Sequence, residues 1–138
     1  MARETLRDLL DFAVDIAWRA GRLTLAHFQT GIAVETKSDA SPVTIADREA
    51  ERALRSAIET RFPQDGILGE EFGELRAGAR RRWILDPIDG TRSFVHGVPL
   101  YGILVALEEA GEAVLGVAHF PALNETVFAA RGEGCWWN

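Results

Sequence analysis

The chain has 138 residues, 47% of them apolar and 26% charged, a balance that suits one soluble domain with a sizeable core. Its formal net charge of −6 and the absence of a long basic stripe speak against a nucleic-acid partner, which needs clustered Lys and Arg to neutralise phosphates. The single cysteine, Cys135, excludes an internal disulfide and reads as a small packing residue; with no signal-peptide core and no apolar run of bilayer length, a cytoplasmic location without membrane contact is expected.

Leu6, Leu9, Leu10, Ala13, Ile16, Ala17, Ala20 and Leu23 recur at helical spacing and predict an amphipathic helix over roughly residues 4–28. Trp18 and Phe28 read as packing residues, and His27 as a partner for the helix C-terminal dipole. Val34–Thr36 suits a short strand, and the Ser, Asp and Pro that follow mark a loop. A second helix is predicted over about 45–62, with Ala50, Ala53, Leu54, Ala57, Ile58 and Phe62 on its apolar face and Pro63 stopping it. Its start, Thr44-x-x-Asp47, has the form of a capping box. From Ile67 the period changes. ILGEE, RRWILD and two apolar runs joined by EEAGEA predict strands, the last two forming a hairpin with Gly111 in the turn. Arg76, Arg80, Arg81 and Arg82 read as a solvated loop ahead of a strand. Glu125–Ala130 is a further strand, followed by a Gly-rich turn and the opening of another. Two helices followed by a mainly antiparallel sheet make an α+β pattern.

The stretch WILDPIDGTRSF, residues 83–94, ends a buried-looking strand on two aspartates. Asp-Pro and Asp-Gly both favour turns, so Asp86 and Asp89 have a purely local explanation. Glu70-Glu71 could be surface loop acids, and Asp47 needs no role beyond its cap. Together they support a second reading. Glu70 and Asp86 each follow a short apolar run, and two such strands side by side would bring Glu70, Asp86 and Asp89 together. Asp47 shares its register with Ala50, Leu54 and Ala57, on the inward helix face. Carboxylates crowded at a partly buried point repel one another and lose hydration, so either some stay protonated or a multivalent cation sits among them. Oxygen ligands without His or Cys select Mg²⁺, Mn²⁺ or Ca²⁺ over zinc.

In a tight DPID turn the carboxylates at i and i+3 can point the same way, with the Ile88 carbonyl as a neutral oxygen between them. A shared carboxylate could bridge two ions about 3.5–4 Å apart, the spacing used for in-line phosphoryl displacement. Gly90 and Thr91 then open a short helical turn whose free N–H groups suit phosphate oxygens, and the Thr91 hydroxyl could orient an attacking water.

GEE at 69–71 followed by WILDPIDGT at 83–91, with the TxxD helix start upstream, resembles the inositol monophosphatase superfamily of Mg²⁺-dependent, lithium-sensitive phosphomonoesterases. The resemblance runs along the whole chain and implies the N-terminal half of a layered α/β sandwich, with two long helices packed on the sheet. It implies Glu70, Asp86, the Ile88 carbonyl and Asp89 as metal ligands, with Asp86 bridging two or more Mg²⁺ ions and Mn²⁺ as an alternative. Asp47 and Thr91, with Glu70, would orient and deprotonate the nucleophilic water, which attacks phosphorus directly. Glu70, Ile88, Asp89 and the Gly90 and Thr91 amides would contact the phosphate, under a mobile flap around Lys37. TRSFVHGVPLYGILVAL, 91–107, is similar to histidinol-phosphate phosphatases, with Arg92 and Ser93 where inositol monophosphatases more often carry Thr and Asn; His96 reads as structural. The resemblance therefore implies histidinol phosphate as substrate, an inositol monophosphate as the alternative, and a homodimer; a non-catalytic cation-binding module is the competing class. Residues 1–138 match only the N-terminal, metal-binding domain. The family's later Trp-Asp-x-Ala-Gly motif, in a second domain, has no counterpart here. The expectation is an incomplete second metal site and little turnover by these residues alone.

Overall fold

The computed structural model describes residues 3–138. Helix α1 spans Leu6–Leu25 and opens on a capping box of Thr5 with Asp8. It stops three residues short of the predicted end, and the inward position expected for Leu23 belongs to Thr24, which is buried against the Tyr101 hydroxyl at 3.1 Å while Leu23 is exposed. His27 is not a dipole partner: its Nε2 lies 3.0 Å from Glu49 Oε2 on the second helix. Helix α2, Ile45–Arg61, begins at the expected box, with Thr44 and Asp47 bonding each other's backbone.

Between the helices, β1 (Glu35–Thr36) and β2 (Pro42–Val43) form a small antiparallel pair with Lys37 in the connecting turn. The remaining strands are β3 (Gly66–Gly69), β4 (Gly73–Leu75), β5 (Arg81–Asp89), β6 (Gly102–Glu109), β7 (Glu112–Phe120), β8 (Glu125–Ala130) and β9 (Gly134–Trp137). They make one sheet in the order β4-β3-β5-β6-β7-β8-β9, with β3 and β5 parallel and every other pair antiparallel. This is the α+β class expected. The β6–β7 turn places Ala110 at φ 51 and Gly111 at φ 82, the positive pair a tight hairpin needs. Strand β1 falls within the short strand expected at Val34–Thr36, whereas β2 and β4 are additions to the prediction, each too short to show a period. The arginine run expected as a solvated loop ends inside β5, whose first two residues, Arg81 and Arg82, are ion-paired. Arg81 pairs with Asp65 at 2.9 Å, and Arg82 with Glu74 and Glu108 at 2.8 and 2.9 Å. Cys135, expected to pack, is exposed on β9.

Both long helices cover one face of the sheet. Leu10, Ala13, Ile16 and Ala17 of α1 and Leu54 and Ile58 of α2 bury against Ile67, Trp83, Leu85, Ile103, Val105 and Leu107. Alternation along β5 sends Trp83 and Leu85 into this core and Ile84 and Asp86 to the other face. There Ile84, Leu104, Ala106, Ala118 and Phe128 line an open apolar groove of about 500 Å³. No helix among the described residues is long and apolar enough to cross a membrane.

Trp83 anchors the core below the site. Its ring packs against Phe12 (5.5 Å) and Phe62 (5.8 Å), and its indole N–H donates to Asp65 at 2.9 Å. Trp83→Ala removes the ring and leaves Asp65 short of a donor, so stability should fall by about 3–5 kcal/mol. Urea unfolding monitored by circular dichroism measures this; a loss below about 1 kcal/mol would mean that the ring is not a core anchor.

Candidate active site

The parallel pairing of β3 with β5 sets Gly69 opposite Leu85, so the next residues along, Glu70 and Asp86, leave the pair side by side. That juxtaposition is the one expected from the two apolar runs. The second aspartate arrives differently. Residues 86–89 are not a tight turn but the end of β5, carrying a bulge. Asp86 pairs with Leu104 and Asp89 with Gly102, three residues on one strand matched to two on the other. In a regular strand, i and i+3 face opposite sides. The extra residue cancels that odd step and returns Asp89 to the face of Asp86. Pro87 suits the irregularity because it has no N–H to waste, and it is buried together with Ile88.

Asp47 sits in the first turn of α2 and is buried. Its Oδ2 accepts from the Thr44 amide at 2.8 Å and the Thr44 hydroxyl at 2.7 Å. Its Oδ1 accepts from Thr91 Oγ1 at 3.0 Å, and the same hydroxyl lies 3.1 Å from the Ile88 carbonyl. The capping role and the link to Thr91 therefore use different oxygens, and one carboxylate serves both. Thr91 opens the five-residue helix α3, Thr91–Val95. Gly90 precedes it at φ 89, where a Cβ would stand 3.1 Å from the Leu100 carbonyl; both the left-handed backbone and the contact require glycine.

Lys37, Ser41, Glu70, Glu71, Asp86, Ile88, Gly90, Thr91 and Arg92 line a single pocket of about 320 Å³. Glu70, Asp86, Ile88, Gly90 and Thr91 are thus brought together as expected. Asp47 reaches this pocket through Thr91, and Asp89 lies beside Asp86 without lining it. Burial is graded: Asp47 is fully buried, Asp86 half-buried, Glu70 and Asp89 exposed. Glu71 was not in the predicted ligand set. Glu71, only 8% exposed, takes a 2.9 Å hydrogen bond from Lys37 Nζ, so the lysine of the β1–β2 turn is tied across the pocket. His96, as expected, is structural, bonding the Arg92 carbonyl at 2.7 Å.

The electrostatics follow from the crowding. Burial, then Glu70, Asp89 and Asp47, push the Asp86 carboxyl up to about 7. Burial also raises Glu71 despite its lysine partner. Lys37 loses some hydration, but its bond to Glu71 and the fields of Glu71, Glu70 and Asp47 raise it overall. Neighbouring carboxylates add to the rise of all three groups, while burial is the largest cause for the two acids. The pocket's donors are all oxygen, with neither His nor Cys among them, which in chemistry fits Mg²⁺ or Mn²⁺. Among the described residues, no three His, Cys, Asp or Glu side chains converge as a finished metal cage; the carboxylates line the pocket instead.

The inositol monophosphatase family model matches residues 5–138. The chain belongs to the inositol monophosphatase family. A histidinol-phosphatase of Chlorobaculum parvum is 53% identical over 130 residues, covering 94% of this chain and 50% of the relative. A fructose-1,6-bisphosphatase/inositol-1-monophosphatase of Thermotoga maritima is 44% identical over 132 residues, 95% of this chain and 51% of the relative. Among solved structures, a Thermotoga maritima IMPase superposes with a TM-score of 0.90 at 42% identity, covering 95% of this chain and 51% of that one. The chain spans about half the length of the curated relatives it matches. The family fold thus accounts for the two helices and the sheet, including the β3–β5 pair on which the carboxylates meet.

The Asp86 shift has a measurable consequence. Its carboxyl sits at about 7 when folded, against 3.8 for an ordinary aspartate, so the folded state holds the proton more tightly. The sign is fixed: Asp86 favours folding below the ordinary value, and this contribution is lost as pH rises through the folded one. In the absence of divalent ions, the melting temperature should fall between pH ~5 and ~8. Asp86→Asn should flatten that fall. An unchanged slope in the variant would mean that Asp86 does not carry the excess charge.

Proposed function

We propose that this chain provides the metal- and phosphate-binding portion of a Mg²⁺-dependent phosphomonoesterase, with histidinol phosphate as its substrate. The observation that carries the reading is the Asp47–Thr91 hydrogen bond standing beside the Glu70–Asp86 pocket. A proton acceptor and a hydroxyl next to clustered hard-oxygen ligands are what hydrolysis of a phosphate ester by water requires. Glu70, Asp86 and the Ile88 carbonyl would hold Mg²⁺, or Mn²⁺ in its place, together with Asp89. Bound there, the ions supply charge neutralisation for the phosphoryl oxygens and acidify water in the pocket.

The remaining work falls to the chain. Thr91 has one hydroxyl proton and two acceptors for it, Asp47 Oδ1 and the Ile88 carbonyl. Its oxygen lone pairs are therefore directed to a water, which they hold and orient toward phosphorus. As that water attacks, its proton passes to Thr91 Oγ1 while the threonine proton passes to Asp47 Oδ1. The bond from phosphorus to the ester oxygen breaks, and the departing alkoxide takes a proton from solvent water, leaving the alcohol and inorganic phosphate. The Thr44 amide and hydroxyl on the other oxygen keep the acceptor aimed. No side chain caps α3, so the amides of Gly90 and Thr91 are free for phosphate oxygens, and Gly90 lets the phosphate come close.

Histidinol phosphate is favoured by the TRSFVHG segment and by the histidinol-phosphatase at 53% identity. An inositol monophosphate is the second reading, supported by an inositol-1-monophosphatase of Rhizobium meliloti at 40% identity over 141 residues. A substrate panel of histidinol phosphate, inositol 1-phosphate and a phosphoadenosine, run with Mg²⁺ on the polypeptide carrying this sequence, separates them. The highest kcat/KM should fall on histidinol phosphate. Thr91→Ala and Asp47→Asn should each lower kcat by about 10²–10⁴-fold with little change in KM. A non-catalytic cation-binding module would instead bind Mg²⁺ and release phosphate from none of the three.

A further inference from the structure

Glu51 does not line the pocket, but its carboxylate holds two amides of the loop that carries Glu70. Glu70, Glu71 and Phe72 form a three-residue loop joining β3 to β4, with Gly69 and Gly73 paired at its base. A loop of this size leaves amides that no strand partner satisfies. Glu51 supplies the acceptors. It lies one turn beyond Asp47 on the inward face of α2 and is fully buried. Its Oε1 accepts from the Glu71 amide at 2.8 Å, and its Oε2 from the Phe72 amide at 2.9 Å. Arg55, one further turn along α2, donates its Nε to the same Oε2 at 2.9 Å and also reaches the Gly73 carbonyl. The fit is close: a Cβ at Gly69 would stand 2.5 Å from the Glu51 carboxylate.

We propose that Glu51 is a positioning residue for the metal site, its carboxylate fixing the 70–72 loop so that Glu70 is presented to the pocket beside Asp86. This role rests on the proposed metal binding by Glu70 and adds a residue that orients it. A carboxylate can accept from two amides at once, whereas glutamine would turn an N–H toward one of them. The isosteric change is therefore not neutral here, which a simple packing role would allow. One helix thus carries both roles a turn apart, with Asp47 as the proton acceptor and Glu51 aiming the metal ligand.

The test is Mn²⁺ binding to this chain, read by electron paramagnetic resonance, for the unaltered protein, Glu51→Gln and Leu10→Ala. Leu10 is a buried α1 residue remote from the pocket and serves as a control for lost stability. Glu51→Gln should weaken Mn²⁺ binding by about 10–100-fold, the usual cost of removing a partner that orients a ligand. Leu10→Ala should bind as the unaltered chain does. Hydrogen exchange on the unaltered chain supplies the second measurement and needs no variant: saturating Mg²⁺ should slow exchange at the Glu71 and Phe72 amides more than at those of β8. Unaltered Mn²⁺ affinity in a folded Glu51→Gln, or equal protection of both sets of amides, would overturn the positioning role. Absence of Mn²⁺ binding by the unaltered chain would overturn the metal-site reading itself, and the positioning role with it.

Discussion

Two strands that run side by side in the same direction finish at the same edge of a sheet, and β3 and β5 are the one such pair in this seven-stranded sheet. Each carries an acid where it leaves the pairing, so Glu70 and Asp86 meet although sixteen residues separate them in sequence. The rest of the pocket is arranged around that meeting. The bulge beyond Asp86 returns Asp89 to the same face, and the short helix that follows brings Thr91 back against the start of α2. An antiparallel β3–β5 pair would have sent the two acids to opposite ends of the sheet.

Gathering these charges is unfavourable by itself. The half-buried Asp86, raised to about 7, reports how far its neighbours and its burial oppose ionisation. The opposing stabilisation comes from below the site, where Trp83, Phe12 and Phe62 interlock three residues from Asp86 on the same strand. The chain also offers cations of its own in the pocket lining, Lys37 and Arg92. Lys37 spans the pocket to Glu71, tying the β1–β2 turn to the β3–β4 loop across the carboxylates. A charge-dense pocket on an apolar support is the usual compromise between stability and function.

Much of this was legible in the sequence, for identifiable reasons. The long helices announced themselves through a sustained 3.6-residue period, the Thr44–Asp47 box through its spacing, and the β6–β7 hairpin through Gly111 between two apolar runs. The acids were legible as a set because each stood at the end of an apolar run or on an inward helix face. Three things were hidden. DPID reads as a turn, and only the register with β6 shows it to be a bulge. Strands of two or three residues, β2 and β4, are too short for alternation to register. Glu51 and Lys37 act through loop amides and a loop carboxylate, and no local pattern names a partner twenty or thirty-four residues away. A signal for Glu51 did exist: it follows Asp47 by one helical turn, on the same inward face as Ala50, Leu54 and Ile58. A glutamate in that row has to be satisfied by something, and here it is the loop that bears Glu70.

The central claim is that Glu70 and Asp86 gather at one point because a divalent cation belongs between them. Anomalous diffraction at the manganese edge, from crystals of the chain grown with Mn²⁺, addresses it directly. The account predicts a manganese peak bonded to Glu70, Asp86 and the carbonyl oxygen of Ile88. Manganese bound elsewhere, or a fully ordered pocket free of manganese with Glu70 and Asp86 turned apart, would contradict it.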